Sequence, residues 1–200
     1  MKYLAIDTSS KTLTVIAVNQ DKSFVYSEDC GTRHSVALMP AIEVALQKVG
    51  LSLNDIDFFA CVTGAGSFTG IRIGVSTVKA FCHALKKPYL SITSFDALAY
   101  NIDSGAVLAV IDAKHGSYYV AGYQDKKLTL APSFLSKEEV LSLSKDYKVV
   151  SSDDLDFNFT KVDTATGLKL AVEAKHLSTN FDIDLLEPLY IRKSQAEEGR

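Results

Sequence analysis

The sequence predicts an α/β protein of two similar halves, each a mixed β-sheet flanked by helices. Three consecutive strand-like runs, followed by strands that alternate with helical segments, occur at the start of the chain and again after residue 105. This order of elements is typical of a mixed sheet with helices on its faces. The turn-forming stretch 103–105 separates the two occurrences. We therefore divide the chain into residues 1–103 and residues 104–200.

The first half begins with three predicted strands and then alternates helix and strand. β-branched and aromatic runs bounded by turn residues predict the strands. Gly50 and Pro88 predict where two helices end, and Ser94 predicts where a third begins. The predicted strands are 2–7, 12–18, 23–29, 58–63 and 89–93, and the predicted helices are 34–49, 71–86 and 94–100.

The second half repeats this order with fewer elements. Ser136 followed by Glu139 forms a capping-box pattern, which predicts a helix that ends near residue 144. The other predicted elements are the strands 106–112, 117–123, 128–131 and 148–151 and a helix at 165–174. Two such halves resemble the ribonuclease-H-like repeat of the actin, Hsp70 and sugar-kinase class, the ASKHA or actin-like ATPase fold.

The composition allows a packed core and argues against several functional classes. Of 200 residues, 47% are hydrophobic and 22% are charged, as in globular domains. The net charge is -3 and basic residues cluster only in pairs, whereas proteins that bind nucleic acid by themselves carry clustered Lys and Arg. No apolar run approaches the roughly 20 residues that cross a bilayer, and the start of the chain lacks a signal-peptide pattern. We expect a cytoplasmic protein without membrane contact.

The predicted helix at 34–49 carries more apolar surface than one sheet can cover. One amphipathic face uses positions such as Leu38, Ala41, Ile42 and Ala45. Further apolar residues lie elsewhere on the helix, namely Val36, Met39 and Val44. A helix that is apolar nearly all round is buried on more than one side. The second burial could come from a copy of the chain, from another protein or from the chain's own second half.

The following helix has a similar excess of apolar and small residues. Gly74, Thr77, Ala80 and Ala84 are small residues spaced three or four apart, and Phe81 lies beside them. Small side chains at this spacing let another helix approach closely. These five residues of the second helix are candidate partner-binding residues. The other candidates are the four residues of the preceding helix, Leu38, Ala41, Ile42 and Ala45.

The Gly-rich loop at 64–70 lies between a predicted buried strand and a helix start, where an anion could be held. Its candidate residues are Gly64, Gly66, Ser67, Thr69, Gly70 and Arg72. It lacks the Lys of a P-loop, the third Gly of a dinucleotide fingerprint and the Gly spacing of a nucleophile elbow. We therefore favour a tight turn in which Gly permits unusual backbone angles, with partner contact.

Other candidates for chemistry carry weaker patterns. Asp7 and Asp112 end the first strand of each half, as acidic residues do at nucleotide sites of this fold class, but no adjacent Gly pair exists in the chain. The histidines show no metal-binding spacing. The cysteines are odd in number and widely spaced, which predicts buried, reduced thiols. We expect no catalytic residue, no metal and no cofactor in the isolated chain.

Five segments spread along the chain resemble one known family. They are AIDTS (5–9), HS (34–35), GSFTGIRIG (66–74), DAKHGSYY (112–119) and PLYIR (188–192). On these segments the chain resembles the TsaB (YeaZ) family. The resemblance implies a two-domain actin-like fold and a role in making N6-threonylcarbamoyladenosine in tRNA.

The resemblance also implies partners. Proteins that look like this bind TsaD, a paralogous catalytic subunit, through the helices of the first domain, and the ATPase TsaE joins the assembly. They form a homodimer when alone, and they meet tRNA only through the complex. TsaD carries a metal-binding His pair where this chain has TSFDAL (93–98), so the resemblance implies a non-catalytic scaffold subunit. It leaves open whether a nucleotide binds at the joint surface.

Two other functions are alternatives. The chain could be an autonomous enzyme, either an actin-like ATPase or a peptidase-like protein, although the missing Gly pair and His pair argue against this. It could also bind tRNA directly, which conflicts with its negative net charge.

Overall fold

A computed structural model describes residues 1–192, and its two five-stranded mixed sheets with flanking helices confirm the predicted α/β class and ribonuclease-H-like halves. The predicted second half extends to residue 200, so its residues 193–200 lie outside the described part. The strands are β1 (Lys2–Asp7), β2 (Thr12–Asn19), β3 (Lys22–Asp29), β4 (Phe58–Val62), β5 (Tyr89–Ile92), β6 (Ala106–Asp112), β7 (Ser117–Gln124), β8 (Lys127–Ser136), β9 (Lys148–Ser151) and β10 (Thr160–Lys161). The helices are α1 (His34–Val49), α2 (Phe68–Leu85), α3 (Ser94–Ala99), α4 (Lys137–Leu143) and α5 (Thr164–Lys175).

The two sheets have the same strand order, which confirms the internal duplication. The first sheet runs β3-β2-β1-β4-β5 and the second runs β8-β7-β6-β9-β10. In each, the first three strands are antiparallel and the remaining strands are parallel to the central one. The carboxyl ends of β1 and β4 therefore point to one edge of the first sheet, where ligands bind in open α/β folds.

Helices cover both faces of the first sheet, and one of them comes from the second half of the chain. Helices α1 and α2 pack on one face, in a core that includes Leu4, Ile42 and Val78. Helix α5 covers the other face through Leu168 and Val172. The division at residue 103 thus separates the two sheets, while the chain after residue 163 returns to the first one.

The segment after α5, residues 179–192, crosses the first sheet and is called the C-terminal strap below. Asn180 pairs with Tyr89 at the β5 edge through two backbone hydrogen bonds of 2.8 Å. Leu186 is fully buried in the core under α1 and α2. The Leu189 backbone N–H donates to the Thr63 carbonyl at 2.7 Å. These contacts fix the strap along α2 and above the end of β4.

One predicted helix start and one predicted helix cap are wrong. Helix α2 begins at Phe68, inside the predicted loop, because the Ser67 hydroxyl accepts a hydrogen bond from the Gly70 N–H at 3.2 Å and caps it. Helix α3 is capped by Thr93 rather than by Ser94. The Thr93 hydroxyl accepts from the Asp96 N–H, and the Asp96 carboxylate accepts from the Thr93 N–H, which is a capping box.

Strand β8 is longer than the prediction, which ended it at Ala131. It continues through Pro132 to Ser136. Since β8 is an edge strand, the missing N–H of Pro132 removes no bond that the sheet requires. The two-residue strand β10 was not predicted because it lacks an apolar run. The predicted capping box of Ser136 and Glu139 is confirmed.

Candidate partner-binding surface

Four of the candidate partner-binding residues lie in the protein's own core. Leu38, Ala41, Ile42 and Ala45 are between 0% and 2% exposed. They occupy the face of α1 that rests on the first sheet, in one cluster with Leu13 of β2. Placing them on the partner-binding surface was therefore wrong for this fold, because the sheet takes up that face.

The exposed apolar side chains of α1 lie elsewhere on the helix. Val36 is 74% exposed, Met39 is 43% exposed and Val44 is 38% exposed. These are the residues that gave the helix its excess apolar surface in the sequence. They remain partly or largely exposed among residues 1–192, so α1 presents apolar side chains to its surroundings.

The candidates on α2 divide between core and surface. Gly74 is buried beside Thr8, while Thr77 is half-buried with its hydroxyl donating to the Ile73 carbonyl at 2.8 Å. Phe81 is half-buried and packs on the Phe59 ring, with 5.3 Å between ring centroids. Only Ala80 and Ala84 are exposed. The predicted small-residue surface is thus reduced to these two alanines.

A groove of about 570 Å³ lies between α1 and α2. Its lining residues are Ser35, Leu38, Met39, Phe68, Thr69, Arg72, Ile73, Ser76 and Thr77. A second groove, of about 540 Å³, lies between α2 and the C-terminal strap, and Arg72 and Ser76 line both. The exposed side of α2 therefore forms a ridge between two open grooves.

The Gly-rich loop lies directly against the turn that follows β1. A Cβ on Gly66 would come within 2.2 Å of the Ser9 carbonyl oxygen, and a Cβ on Gly70 within 2.0 Å of the Thr8 carbonyl oxygen. The Ser67 N–H donates to the Ser9 carbonyl at 2.6 Å. These positions need glycine because two backbone segments meet there, which supports the interpretation of a tight turn.

The other loop candidates differ in their exposure. Gly64 is buried with a φ of 118°, while Thr69 and Arg72 are exposed at the start of α2. Two N–H groups that could hold an anion, those of Ser67 and Gly70, already donate to protein oxygens. These two N–H groups are therefore not available to hold an anion.

The crevice between the two sheets is nearly closed. It contains a cavity of about 40 Å³, lined by residues that include Asp7, Gly66, Ser94 and Asp153. Pockets for small molecules usually measure about 300–1,000 Å³.

Within residues 1–192, no group of His, Cys, Asp or Glu side chains is arranged to hold a metal ion. No helix in this range is long and apolar enough to cross a membrane.

The cysteines offer no activated thiol among the described residues. Cys30, Cys61 and Cys82 are free and buried, which confirms the prediction. Burial raises the pKa of the Cys61 thiol well above its ordinary value and raises the pKa of Cys82 to about 11. A nucleophilic cysteine requires a lowered pKa.

Asp7 is the buried carboxylate of the crevice. It is 5% exposed, and one carboxylate oxygen accepts hydrogen bonds from the Ser9 N–H at 2.8 Å and the Ser9 hydroxyl at 2.7 Å. Burial raises the pKa of Asp7, which outweighs the lowering effects of these hydrogen bonds and of nearby His34. The ionised carboxylate therefore costs the folded state free energy.

An Asp7→Asn substitution is expected to raise the melting temperature at pH 7–8. A raised pKa in the folded state means that the stabilising contribution of Asp7 is present at low pH and is lost as the pH rises through the folded-state pKa. Asn keeps an oxygen that accepts from Ser9 but carries no charge. The gain should therefore shrink as the pH is lowered towards 4, measured by thermal unfolding across pH. Asp21→Asn, in the exposed turn after β2, is the control, and an Asp7→Asn gain that did not change with pH would contradict this account.

Sequence reasoning missed one cluster at this surface. The Arg72 guanidinium lies 4.0 Å above the Phe68 ring, and its Nε donates to the Tyr190 hydroxyl at 2.8 Å. The Phe68 and Tyr190 rings stack with 4.6 Å between centroids. The sequence analysis singled out the two segments that contain these residues, GSFTGIRIG and PLYIR. Nothing in either segment indicated that they contact each other in the fold.

Comparison with known proteins gives a consistent set of relatives. The family model described as "TsaD: tRNA N6-adenosine threonylcarbamoyltransferase" matches residues 9–182. The tRNA threonylcarbamoyladenosine biosynthesis protein TsaB of Escherichia coli is 34% identical over 62% of this chain and 55% of its own length. The protein of the same name from Bacillus subtilis is 33% identical over 63% of this chain and 56% of its own length. The chain thus spans a little over half the length of these curated relatives.

Solved structures show the same fold. A Pseudomonas aeruginosa protein described as similar to the peptidase YEAZ superposes with a TM-score of 0.81 at 23% identity, covering 96% of this chain and 99% of the other. The structure described as YeaZ from Pseudomonas aeruginosa superposes with a TM-score of 0.79 at 22% identity, covering 94% and 99%. At this identity the likeness concerns the fold alone.

Proposed function

Because the chain belongs to the TsaB (YeaZ) family, within the family that the TsaD model describes, we propose that it serves tRNA threonylcarbamoyladenosine biosynthesis as a non-catalytic subunit. In this role it docks onto TsaD through α1 and α2 and supports the transfer of threonylcarbamoyl to N6 of adenosine in tRNA. The names of its relatives support the pathway, and the surface of α1 and α2 supports the docking.

The observation that carries the proposal is the apolar surface of α1 next to an open groove. Val36, Met39 and Val44 are all more than a third exposed, and the groove of about 570 Å³ runs beside Met39. Contiguous exposed apolar surface marks interaction sites in soluble proteins. An apolar helix beside a groove suits a partner that packs its own helices there.

Three features support a non-catalytic role. The crevice where an actin-like protein would hold a nucleotide contains about 40 Å³, and residues 93–98 carry no histidine. The thiols Cys61 and Cys82 have raised pKa values. The proposal therefore assigns the chemistry to TsaD.

The remaining parts of the proposal concern the assembly. TsaE joins the complex of the two paralogues in the cytoplasm, and tRNA meets this chain only within that complex. The isolated chain forms a homodimer through the same apolar surface. A nucleotide, if one is bound, lies at the joint surface with a partner and not in the crevice of this chain.

The proposal is tested by reconstitution. TsaD and TsaE of the same organism are assayed for tRNA modification with and without this chain, and TsaD binding is measured by calorimetry. We expect TsaD to bind and modification to depend on the chain. Failure to bind TsaD would overturn the proposed docking, and tight binding of ATP and magnesium by the isolated chain would favour the alternative of an autonomous ATPase.

A further inference from the structure

Arg72 is an exposed cation held in one orientation. Phe68 lies under its guanidinium at 4.0 Å, and the Tyr190 hydroxyl accepts from its Nε at 2.8 Å. Because Tyr190 also stacks on Phe68, the three side chains support one another. The outer nitrogens of the guanidinium are not needed for these contacts and can donate to a partner.

Residues of both halves of the protein hold Tyr190 in place. Leu189 and Ile191, on either side of it, pack against the cluster formed by α3 and the second sheet. The Leu189 N–H is bonded to Thr63 of the first half. Tyr190 itself contacts Phe68 and Arg72 of α2. The contacts of the strap with the second sheet therefore help to fix Tyr190, and Tyr190 in turn orients Arg72.

The ridge that carries Arg72 is basic. Helix α2 contains no Asp or Glu, while Arg72 and His83 are exposed and Lys79 is half-buried. Arg72 lines both grooves beside α2, and Lys79 lines the second one. Glu187 of the strap is the acidic group that lines that second groove. A surface of this sign is complementary to an acidic one.

We propose that Arg72 selects a protein partner by binding an acidic side chain on the helices that dock across α2, and that Tyr190 is the residue that positions Arg72 for this contact. The inference rests on the proposed function and extends it to the identity of the contact. It also gives the second half of the chain a role, because that half anchors the strap that carries Tyr190.

The physical reason is preorganisation. A free arginine side chain loses rotamer entropy when it is fixed in an interface, and this loss weakens binding. Phe68 and Tyr190 have already fixed Arg72. Guanidinium also forms two parallel bonds to a carboxylate, which a lysine ammonium does not. Lysine at this position would therefore keep the charge and lose most of the selectivity.

The test measures the affinity of TsaD for the wild-type chain and for four variants of the full chain by calorimetry at low and high salt. We expect Arg72→Gln to weaken binding about 10- to 100-fold and to reduce its salt dependence. Arg72→Lys should recover only part of this loss. Tyr190→Phe, which removes only the hydroxyl, should weaken binding about 3- to 10-fold, and should add little when combined with Arg72→Gln, since both act on one contact.

The control is Lys148→Gln, which removes an exposed cation on β9 of the second sheet and should leave affinity unchanged. If the wild-type chain does not bind TsaD, the proposed function fails and this inference fails with it. If the wild type binds and Arg72→Gln binds equally well, only the inference is overturned. It is also overturned if Arg72→Gln weakens self-association and leaves TsaD binding intact, because the occupant would then be a second copy.

Discussion

An Ala80→Arg substitution is expected to weaken TsaD binding at least about 100-fold, which corresponds to about 2.7 kcal/mol. Ala80 is exposed in the middle of α2, on the same side as Arg72 and Ser76, since these residues recur at every fourth position. A long side chain there occupies the space that a packed helix needs, and its charge is desolvated without a counter-ion. The acidic contact inferred for Arg72 lies about 12 Å away along the helix, too far to neutralise it.

The loss should come from the interface and not from unfolding. Because Ala80 is exposed, the substitution should change stability by no more than about 0.5 kcal/mol, which circular dichroism and thermal unfolding can check. Ala174→Arg is the matched control: Ala174 is exposed on α5, the helix on the opposite face of the first sheet, and we expect it to bind TsaD normally. Wild-type affinity in Ala80→Arg would show that the partner does not pack on α2.

The fold could be predicted from the sequence because the residues that begin and end each element are consistent with the repeated order of elements in the two halves. The bounds of β1 and α1 follow from apolar runs that end at Asp7 and at Gly50, and Gly50 adopts the left-handed conformation typical of a helix end. The second half repeats the strand order of the first. Errors at Ser67 and Thr93 amount to a choice between neighbouring residues that can all cap a helix.

Which side of α1 is exposed could not be predicted, for a physical reason. A helix that is apolar nearly all round does not reveal which side faces the sheet. The pattern therefore could not show that Leu38 and Ile42 are buried while Val36 and Met39 are exposed. Only packing on β2 decides it. The contact between Arg72 and Tyr190 joins residues 118 positions apart, and no local pattern encodes such a contact.

A Lys175→Met substitution is expected to destabilise the protein by about 3 kcal/mol. The Lys175 ammonium lies 2.7 Å from the Asp96 carboxylate, whose side chain is 5% exposed. The same carboxylate accepts from the Tyr123 hydroxyl at 3.1 Å and from the Thr93 N–H at 2.9 Å. Removing the cation leaves a buried charge without a counter-ion. We choose the lower end of the usual range because the Lys175 side chain is 32% exposed.

In thermal unfolding this loss corresponds to roughly 6–12 °C for a chain of this size. Lys161→Met is the control, because Lys161 pairs with Asp154 where both side chains are more than half exposed, and such pairs contribute about 0–1 kcal/mol. Adding Asp96→Asn to Lys175→Met should recover part of the stability, since no buried charge remains. Equal losses in Lys175→Met and Lys161→Met would show that the ion pair does not hold α3 to α5. Because both helices lie away from the ridge of α2, the destabilised protein should still bind TsaD below its melting temperature, which separates the role of this ion pair from that of Ala80.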